Sequence, residues 1–237
     1  MNVTTAKDDG KLVQVACWVK SLNQAICFVS ETHRTGLGIT EQWPIDAELD
    51  GWRFINSGLK KKAMSGVGIL ISPEVRLIDY DEIEPGRILQ MRLKFRGVKL
   101  LCFAVYGPTN VQCESAKSGF FNKLSRSLIT TKAKYPKWKR LIGGDFNAAL
   151  GRHAPTSRFV TDLNLDTCPT TDNGYRFVEF LNRHELYALN TQFQTRNADH
   201  RITFTLGRAR KRLDYLVSDL WLRRTCMNAR AYTLAKV

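Results

Sequence analysis

Leu141-Ile142-Gly143-Gly144-Asp145-Phe146-Asn147 decides how this sequence is read. Two aliphatic residues lead a strand, two glycines let the backbone bend or pass close to a neighbour, and an acid and an amide follow at its carboxyl end. Other polar residues close apolar runs in the same way: Glu31 after residues 25–29 and Tyr106 after residues 98–105. Asp214 stands within the apolar run of Arg212-Leu213-Asp214-Tyr215-Leu216-Val217. A lone acid at a strand end usually serves as a turn or cap residue. Asp214 differs, because an acid inside a strand is costly to bury without a partner. Carboxylates gathered with an amide at one sheet edge suit Mg²⁺, which takes one or two carboxylates plus phosphate oxygens.

Short strands and helices alternate around this stretch. Leu12, Val15, Ala16, Val19 and Leu22 recur at helical spacing over residues 10–22. Residues 66–71 and 75–80 read as a hairpin turned at Ser72-Pro73, and residues 88–95 and 98–105 as a second around Arg96-Gly97. Residues 120–129 read as an amphipathic helix. Another helix follows Asn173-Gly174, with Phe177, Phe180 and Leu181 on one face. Strands return at residues 202–206, 213–217 and 231–237. Strands outnumber helices, and paired strands mixed with crossovers predict an α+β sandwich with helices outside two sheets.

The 237 residues carry 36 Lys+Arg against 22 Asp+Glu, a formal charge of +14. With 43% hydrophobic residues the chain is no disordered tail, and no apolar run is long enough to span a bilayer. The N-terminus lacks the apolar core of a signal peptide. The charge is uneven: residues 117–140 hold eight basic residues and no acid, and residues 87–99 hold five more, again with no acid. Two such runs favour a polyanion partner. The six cysteines show no CxxC pair or metal-finger spacing, which fits core residues in a reducing compartment. A soluble intracellular protein with no membrane partner is expected. No P-loop, GxGxxG or HExxH motif is present.

The ordered set Met1-Asn2-Val3, Ser30-Glu31-Thr32-His33, Val105-Tyr106-Gly107-Pro108-Thr109, Gly143-Gly144-Asp145-Phe146-Asn147 and Arg212-Leu213-Asp214-Tyr215 resembles the endonuclease/exonuclease/phosphatase superfamily, the DNase I-like proteins. Within it, the sequence is most similar to endonuclease domains of non-LTR (LINE-type) retrotransposons and their craniofacial-development-protein-like relatives. Ser57-Gly58, Gly66-Val67-Gly68-Ile69-Leu70, Asn173-Gly174 and Leu189-Asn190-Thr191-Gln192-Phe193 support that finer match. The resemblance spans essentially all of residues 1–237 and implies a single domain with a four-layer α/β sandwich, two mixed sheets face to face between helices.

Carried over by position, the resemblance implies Glu31 as the principal Mg²⁺ ligand, with Mn²⁺ as a substitute ion, and Asn2 beside it. Tyr106 would contact the scissile phosphate. Asp145 and Asn147 would orient the attacking water and stabilise the transition state, and Asp214 would orient a catalytic histidine. Thr203, followed by Phe204 where the family has Trp, and Arg212 would contact substrate. The implied reaction is metal-assisted attack of water on a DNA phosphodiester. A monomer is implied, with nuclear location and a reverse transcriptase domain of the same element as partner.

The family's Ser-Asp-His motif should follow the strand at residues 231–237, where the sequence stops, and Met1 stands where the family has Trp. The domain is therefore expected to be truncated at both ends, with impaired activity. Two alternatives stand beside the nuclease: a catalytically dead nucleic-acid-binding remnant, and a phosphatase of this fold acting on small or lipid phosphates.

Overall fold

The computed structural model describes residues 9–59, 65–152, 154–161, 166–193, 198–206 and 209–229. It divides after Tyr106 into two compact units. Asn2 and the strand expected at residues 231–237 lie outside the described residues.

In the first unit, helical spacing buries one face of α1 (Asp9–Ser21): Leu12, Val15, Ala16 and Val19 are each at most 1% exposed. That face packs on Val29, Leu49, Trp52, Phe54 and Leu70. The strands beneath are β1 (Ile26–Ser30), β2 (Gly38–Thr40), β3 (Arg53–Ser57) and β4 (Val67–Ile71), in the order β1-β4-β3-β2. Every neighbouring pair is antiparallel. All five residues of β4 are buried, as a central strand covered on both faces requires.

Then come β5 (Arg76–Glu84), β6 (Ile88–Phe95) and β7 (Val98–Tyr106), an antiparallel meander. Strands β1 and β4 lie against β7, and β3 and β4 against β6, so two sheets face each other within this unit. The β6–β7 hairpin is as expected, and Arg96 and Gly97 both adopt the positive φ of a two-residue type I′ turn. The hairpin expected between β4 and β5 does not form. Both edges of β4 are occupied by β1 and β3, so the turn at Ser72-Pro73 sends the chain to the other sheet, where β5 pairs with β6. Spacing alone could not show that the pairing edge was taken.

The second unit starts with α2 (Glu114–Lys134), which is longer than the expected residues 120–129. Its first turns look polar, yet Lys117 is buried and its ammonium lies 2.7 Å from Asp172. That hydrogen bond holds the Asp172 carboxyl below its ordinary value. There follow β8 (Lys139–Asp145), β9 (Gly151–Arg152), β10 (Asp166–Pro169), α3 (Asp172–His184), β11 (Tyr187–Ala188), β12 (Phe204–Leu206), β13 (Ala209–Lys211), β14 (Asp214–Ser218) and α4 (Leu220–Thr225). Strand β14 lies between β8 and β11, antiparallel to both. Thr171 caps α3 by accepting the Gly174 amide at 3.2 Å, and Phe177, Phe180 and Leu181 are buried as expected. Cys102 is fully buried in β7 and burial pushes its thiol up. Among the described residues no helix is long and apolar enough to cross a membrane.

Candidate functional site

In the first unit, β1 ends at Ser30 and the next residue, Glu31, turns to φ 57°. Among the described residues, left-handed Asn23, Glu48 and Glu185 follow helices and Arg96 sits in a hairpin turn. Glu31, His33 and Asn147 adopt this conformation away from helix ends and hairpin turns. A non-glycine residue in this region costs about 1–3 kcal/mol and persists only where its surroundings fix it. Here Thr32 donates its amide to the Gly66 carbonyl at 3.2 Å. Gly66, at φ 147°, passes so close that a Cβ would stand 2.2 Å from the Thr32 hydroxyl oxygen.

Tyr106 is the last residue of β7 and donates its hydroxyl to Glu31 Oε1 at 3.0 Å. Arg87 clamps it from the neighbouring strand end. Its guanidinium lies 4.6 Å from the centroid of the Tyr106 ring, its Nη1 donates to the Tyr106 carbonyl at 3.2 Å, and its own carbonyl accepts the Tyr106 amide at 2.9 Å. The structure thus joins two of the expected residues, Glu31 and Tyr106. Arg87 was legible only as one charge in a basic run.

In the second unit, the five letters Gly-Gly-Asp-Phe-Asn do separate jobs. Asp145 is the last residue of β8 and 4% exposed. Phe146 is fully buried against Phe177, with ring centroids 4.7 Å apart, and Phe177 in turn meets Tyr215 at 4.5 Å. Asn147 then turns to φ 49°, and its amide N–H donates to Asp145 Oδ1 at 2.7 Å. Its side-chain Nδ2 donates to the Gly107 carbonyl at 2.9 Å. The buried ring anchors a loop whose two polar residues are thereby held against each other.

The loop at residues 107–110 packs tightly on this turn. Gly107 donates its amide to the Asp145 carbonyl at 2.7 Å, and a Cβ there would stand 2.5 Å from the Phe146 carbonyl oxygen. Only glycine permits that approach. Asn173, fully buried in the first turn of α3, donates Nδ2 to the carbonyls of Pro108 at 2.7 Å and Asn147 at 3.2 Å. As sequence, Asn173 was only a motif letter. As structure, it ties two site loops together.

Asp214 is the first residue of β14 rather than an interior one, and it is half-buried. Its register partner on β8 is Asp145, and directly opposed residues of antiparallel strands share a face. The two carboxyl-bearing residues therefore stand opposite each other where β8 ends and β14 begins. Thr203 supports the start of β14 from below: its hydroxyl oxygen accepts the amides of Leu213 at 2.9 Å and Asp214 at 3.1 Å. Asn190 Nδ2 donates to the Asp214 carbonyl at 2.9 Å. Arg212 is only 4% exposed and donates Nε to the Arg201 carbonyl at 3.0 Å. Thr203 and Arg212 therefore shape the strand that carries Asp214.

Glu31, a hard carboxylate whose Oε1 is within hydrogen-bond reach of a phenol, fits Mg²⁺ by its donor chemistry. Among the described residues no group of three or more His, Cys, Asp or Glu side chains is arranged to hold a metal. Mg²⁺ needs only one or two protein carboxylates, completed by phosphate and water.

The basic runs divide. Arg87 serves Tyr106, Arg92 pairs with Asp79, and Arg96 pairs with Glu74 at 3.2 Å. That run is largely engaged inside the first unit. In the run over residues 117–140, Lys117 is buried, while Lys123, Arg126, Lys132, Lys134 and Lys137 are exposed.

No protein-family model and no curated protein matches the sequence. Solved structures do. The endonuclease domain of TRAS1, a telomere-specific non-LTR retrotransposon, is 14% identical, with 93% of this chain and 83% of that one covered at a TM-score of 0.61. An AP endonuclease from Archaeoglobus fulgidus is 19% identical, covering 96% and 88% at 0.64. The Neisseria 3′ phosphatase NExo, bound to a product DNA hairpin, is 17% identical, covering 94% and 86% at 0.65. The chain therefore has the DNase I-like α/β sandwich fold of the endonuclease/exonuclease/phosphatase proteins.

Proposed function

We propose that the chain is a metal-dependent phosphodiesterase that nicks DNA, in the manner its sequence resemblance to retrotransposon endonuclease domains implies. The observation that carries this reading is the register pairing of Asp145 with Asp214, with Asn147 held on the Asp145 carboxylate. The +14 charge suits a polyanionic substrate.

In this reading Glu31, with Asn2, holds Mg²⁺ or Mn²⁺, which when bound neutralises charge developing on the phosphate. Asp145 accepts a hydrogen bond from the attacking water and aims it. The Asn147 side-chain amide, fixed before substrate arrives, donates to the phosphate oxygen on which charge builds. The Tyr106 hydroxyl, positioned by the Arg87 clamp, contacts the same phosphate. Asp214 orients the group that protonates the leaving oxygen. Thr203 and Arg212 contact the substrate beside the start of β14, where Thr203 also accepts the Leu213 and Asp214 amides. A monomeric protein acting in the nucleus beside a reverse transcriptase of the same element belongs to this reading.

Conversion of supercoiled plasmid to nicked circles tests it, with Mg²⁺ against EDTA and with Asp145→Ala as control. Hydrolysis of a 3′-phosphate or an inositol phosphate in place of plasmid would install the phosphatase alternative. Binding without hydrolysis of either substrate would install the non-catalytic one.

A further inference from the structure

The other end of β8 carries a different kind of surface. Lys132, Lys134 and Lys137 are exposed around the end of α2, and among the described residues no ion pair engages them or Lys139. Aromatic rings are interleaved with them. The Lys134 ammonium lies 5.4 Å from the Tyr135 ring centroid, and the Tyr135 and Trp138 centroids are 5.3 Å apart. The Lys139 ammonium lies 5.2 Å from the centroid of Trp221, an indole left 43% exposed on α4. Beside them runs a groove of about 540 Å³ whose lining includes Ile129, Lys132, Pro136 and Arg140.

We infer that this surface binds single-stranded nucleic acid, with phosphates on the lysines and a base stacked on Trp221. Lysines alone would serve a duplex equally well. The exposed indole breaks that symmetry, because only an unpaired base offers a free ring face, and stacking on an aromatic is sequence-tolerant. Aliphatic lining would suit an acidic peptide, but a peptide gains nothing particular from an exposed indole among lysines. The surface is separate from the catalytic end: Lys139 and Asp145 are the two ends of β8, about 20 Å apart at ~3.3 Å per residue. The inference does not require that the chain cut DNA.

The test is fluorescence anisotropy of labelled 20-nucleotide single strands and the matching duplex with the full chain in EDTA, titrated in salt. Trp221→Ala is expected to weaken single-strand binding about 10-fold and to leave duplex binding unchanged, with Trp221→Phe restoring most of the loss. The double variant Lys134→Glu/Lys137→Glu is expected to weaken both and to flatten the slope of log K against log salt by about 1.4 on single strands. Thermal unfolding of each variant checks that the fold is intact. The inference is overturned if Trp221→Ala leaves single-strand affinity unchanged, or lowers single-strand and duplex affinity alike. It is equally overturned if polyglutamate competes as strongly as the oligonucleotide. Loss of plasmid nicking with single-strand binding intact would instead count only against the nuclease reading.

Discussion

The two ends of β8 are built to opposite plans. At the carboxyl end, Asp145 is buried, its carboxylate is held by the Asn147 amide, and a stack of three aromatic rings lies beneath the turn between them. At the amino end, Lys132, Lys134 and Lys137 are exposed and the Trp221 indole, under the Lys139 ammonium, is 43% exposed. Chemistry requires groups held to within a fraction of an ångström, and packing and hydrogen bonds supply that. Attraction of a polyanion requires only charge at a distance, which exposed lysines supply. Substitutions at the first end should therefore change rate, and substitutions at the second should change affinity.

The largest effect expected is that of Asp145→Asn. It keeps the shape of the side chain but removes its charge, and should lower the nicking rate by about 10²–10³-fold while leaving oligonucleotide affinity in EDTA nearly unchanged. Comparable losses in both readings would erase the distinction between the two ends.

Next comes Phe146→Ala. Truncating a fully buried ring costs about 3–5 kcal/mol, so chemical denaturation should show a much lower midpoint. Activity measured well below that midpoint should also fall, because the turn carrying Asp145 and Asn147 loses its anchor. A stability change below about 1 kcal/mol would mean that the aromatic stack does not hold the turn.

A smaller effect is expected from Arg87→Met. It removes the cation over Tyr106 and the hydrogen bond to its carbonyl, but keeps the stem volume. Nicking should drop about 10-fold through the rate rather than through KM, since Arg87 acts by positioning Tyr106. A change in KM alone would make Arg87 a substrate contact.

A separate effect concerns pH. His184 lies under the basic end, hydrogen-bonded to Ser125 Oγ at 2.9 Å. Burial lowers its pKa from the ordinary 6.5 to about 4, with Arg140, Arg183 and Lys132 pushing the same way. Between those values the unfolded chain binds the proton and the folded chain does not, so stability rises with pH there. The His184 contribution is complete above about pH 6.5 and is lost as pH falls towards about 4. His184→Gln should flatten the pH dependence of denaturation across that window. An unchanged slope would show that other groups set it.

Much of this was legible in the sequence, for physical reasons. Helical spacing marked α1 because an amphipathic face writes a period into the chain. Arg96-Gly97 marked its hairpin because the turn needs positive φ twice. The motif letters singled out Glu31, Tyr106, Asp145, Asn147 and Asp214 one by one; that Tyr106 bonds to Glu31, that the Asn147 amide bonds to Asp145, and that Asp145 pairs in register with Asp214 is seen only in the structure. What the sequence could not show depends on partners distant in the chain. The pairing of β5 was hidden because it turns on which edges of β4 are free. Arg87 looked like part of a polyanion surface until its contact with Tyr106 was visible. Lys117 likewise stood in a run read as favouring a polyanion, and only the arrival of α3 with Asp172 explains its burial.

Mg²⁺-dependent nicking of supercoiled plasmid by the purified 237-residue chain tests the central claim most directly. Nicked circles are expected with Mg²⁺, none with EDTA, and none above background for Asp145→Ala at equal folded concentration. A chain that is folded and binds DNA yet leaves the plasmid intact in Mg²⁺ and Mn²⁺, or an Asp145→Ala variant that nicks as fast as the parent, would contradict it.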